Sequence, residues 1–89
     1  MYKYEIRKSL EKQFLKLAKK NPKQLLVIEK KIKEIISCKD INHYKNLRKP
    51  LNHLKRVHID KSFVLIFSIN ENGKIIFEEF NHHDVIYKT

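Results

Sequence analysis

The run Phe63-Val64-Leu65-Ile66-Phe67-Ser68-Ile69 is apolar at every position but one. A stretch of that length, rich in β-branched and aromatic residues, suits a strand covered on both faces. It is therefore the core strand, and the rest of the chain has to supply its neighbours. Behind it, Asn70-Glu71-Asn72-Gly73 is a strong turn signal, and Lys74 to Phe80 continues as the next strand of an antiparallel meander. Ahead of it, Leu54 to Ile59 reads as a strand joined through Asp60-Lys61-Ser62. Strand alternation sets Leu54, Arg56 and His58 on one face and Lys55, Val57 and Ile59 on the other.

The N-terminal half has a different period. Tyr2, Tyr4 and Ile6 alternate with Lys3, Glu5 and Arg7, as in a short half-buried strand. Ser9 can cap a helix whose apolar residues Leu10, Phe14, Leu17 and Ala18 recur at three- and four-residue steps. Asn21-Pro22 ends it. A second helix runs from about Lys23, with Leu25, Ile28, Ile32, Ile35 and Ile36 on one side, so the two should form a hairpin. Residues 37–52 have no clear period and form a connection of a length that is often functional. The order strand-helix-helix-strand-strand-strand gives an α+β fold: a small antiparallel sheet packed against the N-terminal helical hairpin, with the opposite face left for function. At 89 residues the expectation is one domain, 1–89. No segment approaches the ~20 apolar residues of a membrane-spanning helix and no apolar signal region opens the chain, so the expected compartment is the cytoplasm. Cys38, a lone thiol among Ile35, Ile36 and Ile41, reads as packing.

Charge points to the partner. The formal net charge is +10 and the pI about 9.8, which calls for an acidic partner such as nucleic acid or an acidic protein. Between Asp40 and Asp60 there is no carboxylate, while Lys45, Arg48, Lys49, Lys55 and Arg56 are interleaved with His43, His53 and His58. Fixed cations hold phosphates, and imidazoles move protons near neutral pH. A second histidine group, Asn81-His82-His83-Asp84, closes the chain together with Tyr87. Adjacent histidines on an extended chain point opposite ways, and the Cys/His spacing of a zinc site is missing, so neither metal nor another cofactor is expected.

The Lys49-Pro50-Leu51 segment, the basic strand Leu54-Lys55-Arg56-Val57-His58-Ile59, the apolar strand and a closing His82-to-Tyr87 signature, in that order, resemble the RelE/ParE toxin superfamily of toxin–antitoxin modules. The resemblance implies a ribosome-dependent mRNA endonuclease that blocks translation and is neutralised by an acidic RelB-like antitoxin. His58, Phe63 and His82 match positions of the YafQ-like branch; Tyr87 matches the closing tyrosine of many RelE-like toxins, and Lys55 one basic residue of the RelE strand. Val57 and Val64 stand where such toxins carry Lys and Arg, and Ser62 where the YafQ pattern has aspartate.

RNA can be cut without metal when the 2′-hydroxyl attacks the neighbouring phosphate, provided one group takes its proton, another protonates the departing 5′-oxygen, and cations stabilise the phosphorane. His58 and His82 are the acid/base candidates, with Tyr87 for positioning or stacking. Arg48, Lys49, Lys55, Arg56, Phe63 and His83 are the candidate RNA contacts. Alternation imposes a limit: Lys55 and His58 face opposite sides unless the strand bulges. Two other readings share the fold. One is a ParE-like toxin that poisons gyrase by binding, which does not need the imidazoles; the other is a non-catalytic RNA-binding module.

Overall fold

The computed structural model describes residues 1–87. Strand β1 (Tyr4–Ile6) leads into helices α1 (Lys8–Lys20) and α2 (Pro22–Ile36). A 3₁₀ turn at Ile41–His43 lies in the long connection to β2 (Lys55–Ile59), β3 (Phe63–Ile69) and β4 (Ile75–His82), and a short helix α3 (His83–Ile86) follows at once. The fold is α+β as the pattern predicts, with β3 inside the sheet and its middle residues, Val64 to Phe67, buried.

The sheet is mixed, which corrects the expectation of an antiparallel one. Its order is β1-β4-β3-β2, with β2, β3 and β4 antiparallel and β1 parallel to β4. The parallel pair follows from the helical hairpin, which returns the chain to the sheet far from β1 and leaves β1 the free edge of β4 to join. Arg7 donates to the Phe77 carbonyl and Ile75 to that of Lys3. Across the same pair Lys74 reaches Glu5 at 2.9 Å and Arg7 reaches Glu78 at 2.9 Å. The hydrogen bond from Lys74, followed by its charge, holds the Glu5 carboxyl below its ordinary value, and Glu78 raises Arg7 in the same way.

One helix boundary departs from the sequence pattern, at Ser9, and the other, at Asn21-Pro22, follows it. Ser9 lies inside the first turn of α1, because Arg7 passes straight from β1 into the N-cap position and makes no side-chain cap. Asn21 closes α1 through its N–H to Leu17 O and opens α2 by accepting from Gln24 N, with Pro22 at the first position, where its missing donor costs nothing.

The hairpin buries Leu10, Ile28, Ile32, Ile35 and Ile36 against Ile59, Leu65, Phe67, Ile75, Phe77 and Phe80 on one face of the sheet. A smaller cluster covers the other face: Val64 and Ile66 of β3 are closed over by Leu47 and Leu54 of the long connection and by Ile86 of α3. Both faces of β3 are thus covered, as an uninterrupted apolar strand requires.

One irregularity decides which residues reach that second face. The β3–β4 register runs Phe67 opposite Phe77 but Ile66 opposite Glu79, so Glu78 is an extra residue, a bulge in β4. A one-residue insertion flips the alternation beyond it. Ile75 and Phe77 face the helices before the bulge, and Phe80 faces them after it. Glu78 accepts from Ser68 Oγ at 2.7 Å.

Candidate active site

On the face opposite the hairpin, the long connection, β2 and α3 enclose a cleft of about 500 Å³. Arg56 and His58 rise from β2, facing away from the buried Ile59. Arg48 and Lys49 come from the connection. His83 and Tyr87 come from α3 and the residue after it, four apart and therefore on one side of a helical turn. The turn is fixed by His83 N donating to Ser62 O, by Tyr87 N donating to His83 O, and by Ile86 packing on the Val64–Ile66 cluster.

The groups in the cleft touch in sequence. The His58 and His83 rings stack with centroids 5.8 Å apart and planes at 24°. His83 lies 4.5 Å from the Tyr87 ring, and the Arg56 guanidinium carbon is 5.8 Å from the centre of that same ring. A cation at that distance over a phenol is attracted by the ring's negative face and restrains its swing. Among the described residues, the lysines and arginines that line the cleft are Arg48, Lys49 and Arg56, and no carboxylate lines it. Asp84 stands outside it, 3.7 Å from the Nδ1 atoms of both His82 and His83. That distance is too long for a hydrogen bond.

Of the residues the sequence pattern singles out, Arg48, Lys49, Arg56, His58, His83 and Tyr87 meet here, while His82, Phe63 and Lys55 do not. His82 pairs with Phe63 across the sheet and shares its face, the side that the Glu78 bulge turns toward the helices. Its ring meets Phe63 edge-on at 5.4 Å, and its Nδ1 accepts from Asp84 N as the cap of α3. The C-terminal histidine that faces His58 is therefore His83. Phe63 stacks on Phe80 at 5.2 Å and belongs to the hairpin-side core, so its ring is no platform for a base in the cleft. Lys55 is 6% exposed and points into the helix side, with Nζ on Asn46 Oδ1 and Tyr44 O. His43 and His53 also lie elsewhere: His43 bonds Asp40 O, and His53 sits near Arg7 and Glu79. The signal for the bulge is in the sequence: Phe77 and Phe80, three apart around Glu78-Glu79, cannot share a face of a regular strand.

No protein-family model matches the chain. Similar sequences are known. A protein of Methanocaldococcus jannaschii named "Putative toxin RelE4" is 56% identical over 89 residues, spanning 99% of this chain and 93% of its own length. An uncharacterized protein of Methanosarcina mazei is 53% identical over 88 residues, 98% of this chain and all of the other. Among solved structures, the crystal structure of YafQ from E. coli strain BL21(DE3) matches 98% of this chain and 99% of its own with a TM-score of 0.73 at 15% identity. The solution structure of HP0892 from Helicobacter pylori matches 98% of this chain and all of its own with a TM-score of 0.62 at 20% identity. The two solved structures show the common fold, and the sequence relatives narrow it. With more than half of its residues shared with a RelE protein along nearly the whole of both chains, this chain belongs to the RelE-like toxins of toxin–antitoxin modules.

Proposed function

We propose that the cleft cuts mRNA on the ribosome, without a metal ion, and that His58 and His83 are its acid and base. The observation that carries this reading is the stacking of the two imidazoles at 5.8 Å in a cleft lined by Arg48, Lys49 and Arg56 and, among the described residues, by no carboxylate. A phosphodiester laid along those cations brings its reacting oxygens to the imidazole edges. One histidine takes the proton of the 2′-hydroxyl as its oxygen attacks phosphorus. The P–O5′ bond breaks and the other histidine gives a proton to the leaving oxygen, leaving a 2′,3′-cyclic phosphate and a 5′-hydroxyl. The cations stabilise the charge that builds on the phosphorane. Tyr87, held by Arg56, offers its ring for a base to stack on.

The cleft holds about 500 Å³ and offers three lysine and arginine side chains, Arg48, Lys49 and Arg56, so a free RNA strand is poorly held and the ribosome supplies the rest of the grip. Expression of the chain alone should arrest growth, with new mRNA 5′ ends inside translated reading frames and little cutting of naked RNA. Mapping 5′ ends after induction checks this; intact transcripts together with DNA damage would instead favour a gyrase poison. The partner that restrains the toxin should be an acidic antitoxin with an apolar helical face. Supporting this, α1 and α2 carry nine lysines against three glutamates beside an apolar groove where Leu15 is 71% exposed.

A further inference from the structure

Lys55 is a buried lysine that the chemistry above does not use. It stands opposite Phe67 on the hairpin side of β2 and is almost wholly covered. Among the described residues no carboxylate lies within salt-bridge distance of its Nζ. A lysine head is costly to bury unless acceptors meet its donors. Here both acceptors come from the start of the long connection: Asn46 Oδ1 at 2.9 Å and the Tyr44 carbonyl at 3.3 Å. Tyr44 packs edge-on against Phe67 at 5.6 Å, and burial pushes its phenol above its ordinary value.

The same stretch is laced to β2 by backbone bonds. Arg56 N donates to Lys45 O, Leu47 N to Leu54 O, and Asn46 forms an isolated bridge with Lys55. Asn46 Nδ2 also donates to Asn52 O, closing the loop on itself. That loop is the wall of the cleft that carries Arg48 and Lys49. Removing the Lys55 head would leave the Asn46 oxygen and the Tyr44 carbonyl without their donor at the root of the wall.

We propose that Lys55 is a positioning residue: it pins the basic wall of the cleft to β2 through Asn46 and Tyr44, and it makes no contact with phosphate. This gives the neighbouring basic residues of β2 separate tasks, with Arg56 meeting the substrate and Lys55 holding the wall that faces it. The functional consequence rests on the nuclease reading, but the anchor itself is measurable without it.

The test compares Lys55→Met, which keeps the length of the stem and deletes the donors, with Asn46→Ala and Arg56→Ala. The first readout is amide exchange at Leu47, Leu51 and Leu54, whose N–H groups bond within the loop. Both Lys55→Met and Asn46→Ala should speed exchange there by about tenfold or more while β3 stays protected, and the double variant should be little faster than the quicker single. The second readout is the salt dependence of binding to a short single-stranded RNA. Lys55→Met should keep the parental slope of log affinity against log salt, whereas Arg56→Ala should flatten it by about 0.7. Single-turnover cleavage on the ribosome should fall about tenfold for Lys55→Met, and about as far for Asn46→Ala.

A slope flattened in Lys55→Met as in Arg56→Ala would make Lys55 a phosphate contact and overturn the proposal. Parental exchange at the three amides in a folded variant would overturn it too. If Lys55→Met does not fold, Asn46→Ala is compared with Asn46→Asp, which loses the bond to Asn52 O but keeps an oxygen for the lysine: faster exchange in the alanine than in the aspartate variant supports the anchor, and equal exchange in the two refutes it. A parent chain that cuts no mRNA would sink the nuclease reading while the exchange comparison still judged the anchor.

Discussion

Lys55 and Arg56 are adjacent, both basic, and on opposite sides of the sheet. Alternation in a strand is enough to predict that separation, but the sequence does not say which side is the cleft. That depends on where the hairpin packs, and Ile59 and Val57 settle it by taking Lys55 with them to the hairpin side. Arg56 is left on the cleft side over the Tyr87 ring, where the proposed function has it meet RNA. Tyr87→Phe deletes the hydroxyl but keeps the ring, so it should retain cleavage within about threefold if the ring is the working part. Tyr87→Ala should lose tenfold or more, and Arg56→Ala should both weaken binding and flatten its salt dependence. Rates and salt titrations of the three variants on ribosome-bound mRNA separate these roles. Equal losses for Phe and Ala at position 87 would mean that the hydroxyl, and not stacking, is what Tyr87 contributes.

Among the elements, the helical hairpin is legible from apolar residues recurring at three- and four-residue steps, the central strand from its unbroken apolar run, and the meander from the turn signals on either side of that run. The parallel seat of β1 is not, since three residues, Tyr4–Ile6, carry no mark of the strand they will join. Nor is α3, four residues long and too short to show a period. The bulge at Glu78 is the costliest omission: regular alternation through β4 would point His82 at the cleft, and the extra residue turns it to the other face. His83 reaches the cleft because α3 folds back over the sheet with Ile86 as its anchor. Ile86 is half-buried, so Ile86→Ala should cost only about 1–2 kcal/mol, below the range for a fully buried isoleucine. Cleavage should nonetheless fall tenfold or more, as the helix that presents His83 and Tyr87 loosens, and Ile86→Val should restore most of it. Thermal melts run beside cleavage assays check the pair of effects. Parental cleavage by a folded Ile86→Ala variant would show that α3 does not need this anchor.

The whole molecule divides its work between two faces. One side carries the hairpin, apolar groove and lysines; the other carries the cleft with its arginines and histidines. A net charge of +10 surrounds both. An acidic antitoxin should therefore be drawn in quickly at low salt and held afterwards by apolar contacts, because exposed charges are screened over about 8–10 Å at physiological ionic strength. Stopped-flow association at rising salt should show a steep loss of the on-rate with a much smaller change in the off-rate. An on-rate indifferent to salt would mean that the charge does not steer the partner.

Single-turnover cleavage of ribosome-bound mRNA by three alanine variants tests whether His58 and His83 form the proposed acid–base pair. His58→Ala and His83→Ala should each lose about a hundredfold or more, within the range for general acid–base catalysis, and the double variant should be barely worse than the poorer single. His82→Ala, which removes only the cap of α3 and an edge contact with Phe63, should stay within about tenfold of the parent, in line with a cap worth ~1 kcal/mol. A folded His83→Ala protein that cuts at the parental rate, with His82→Ala inactive, would exclude His83 from the pair and put His82 in its place.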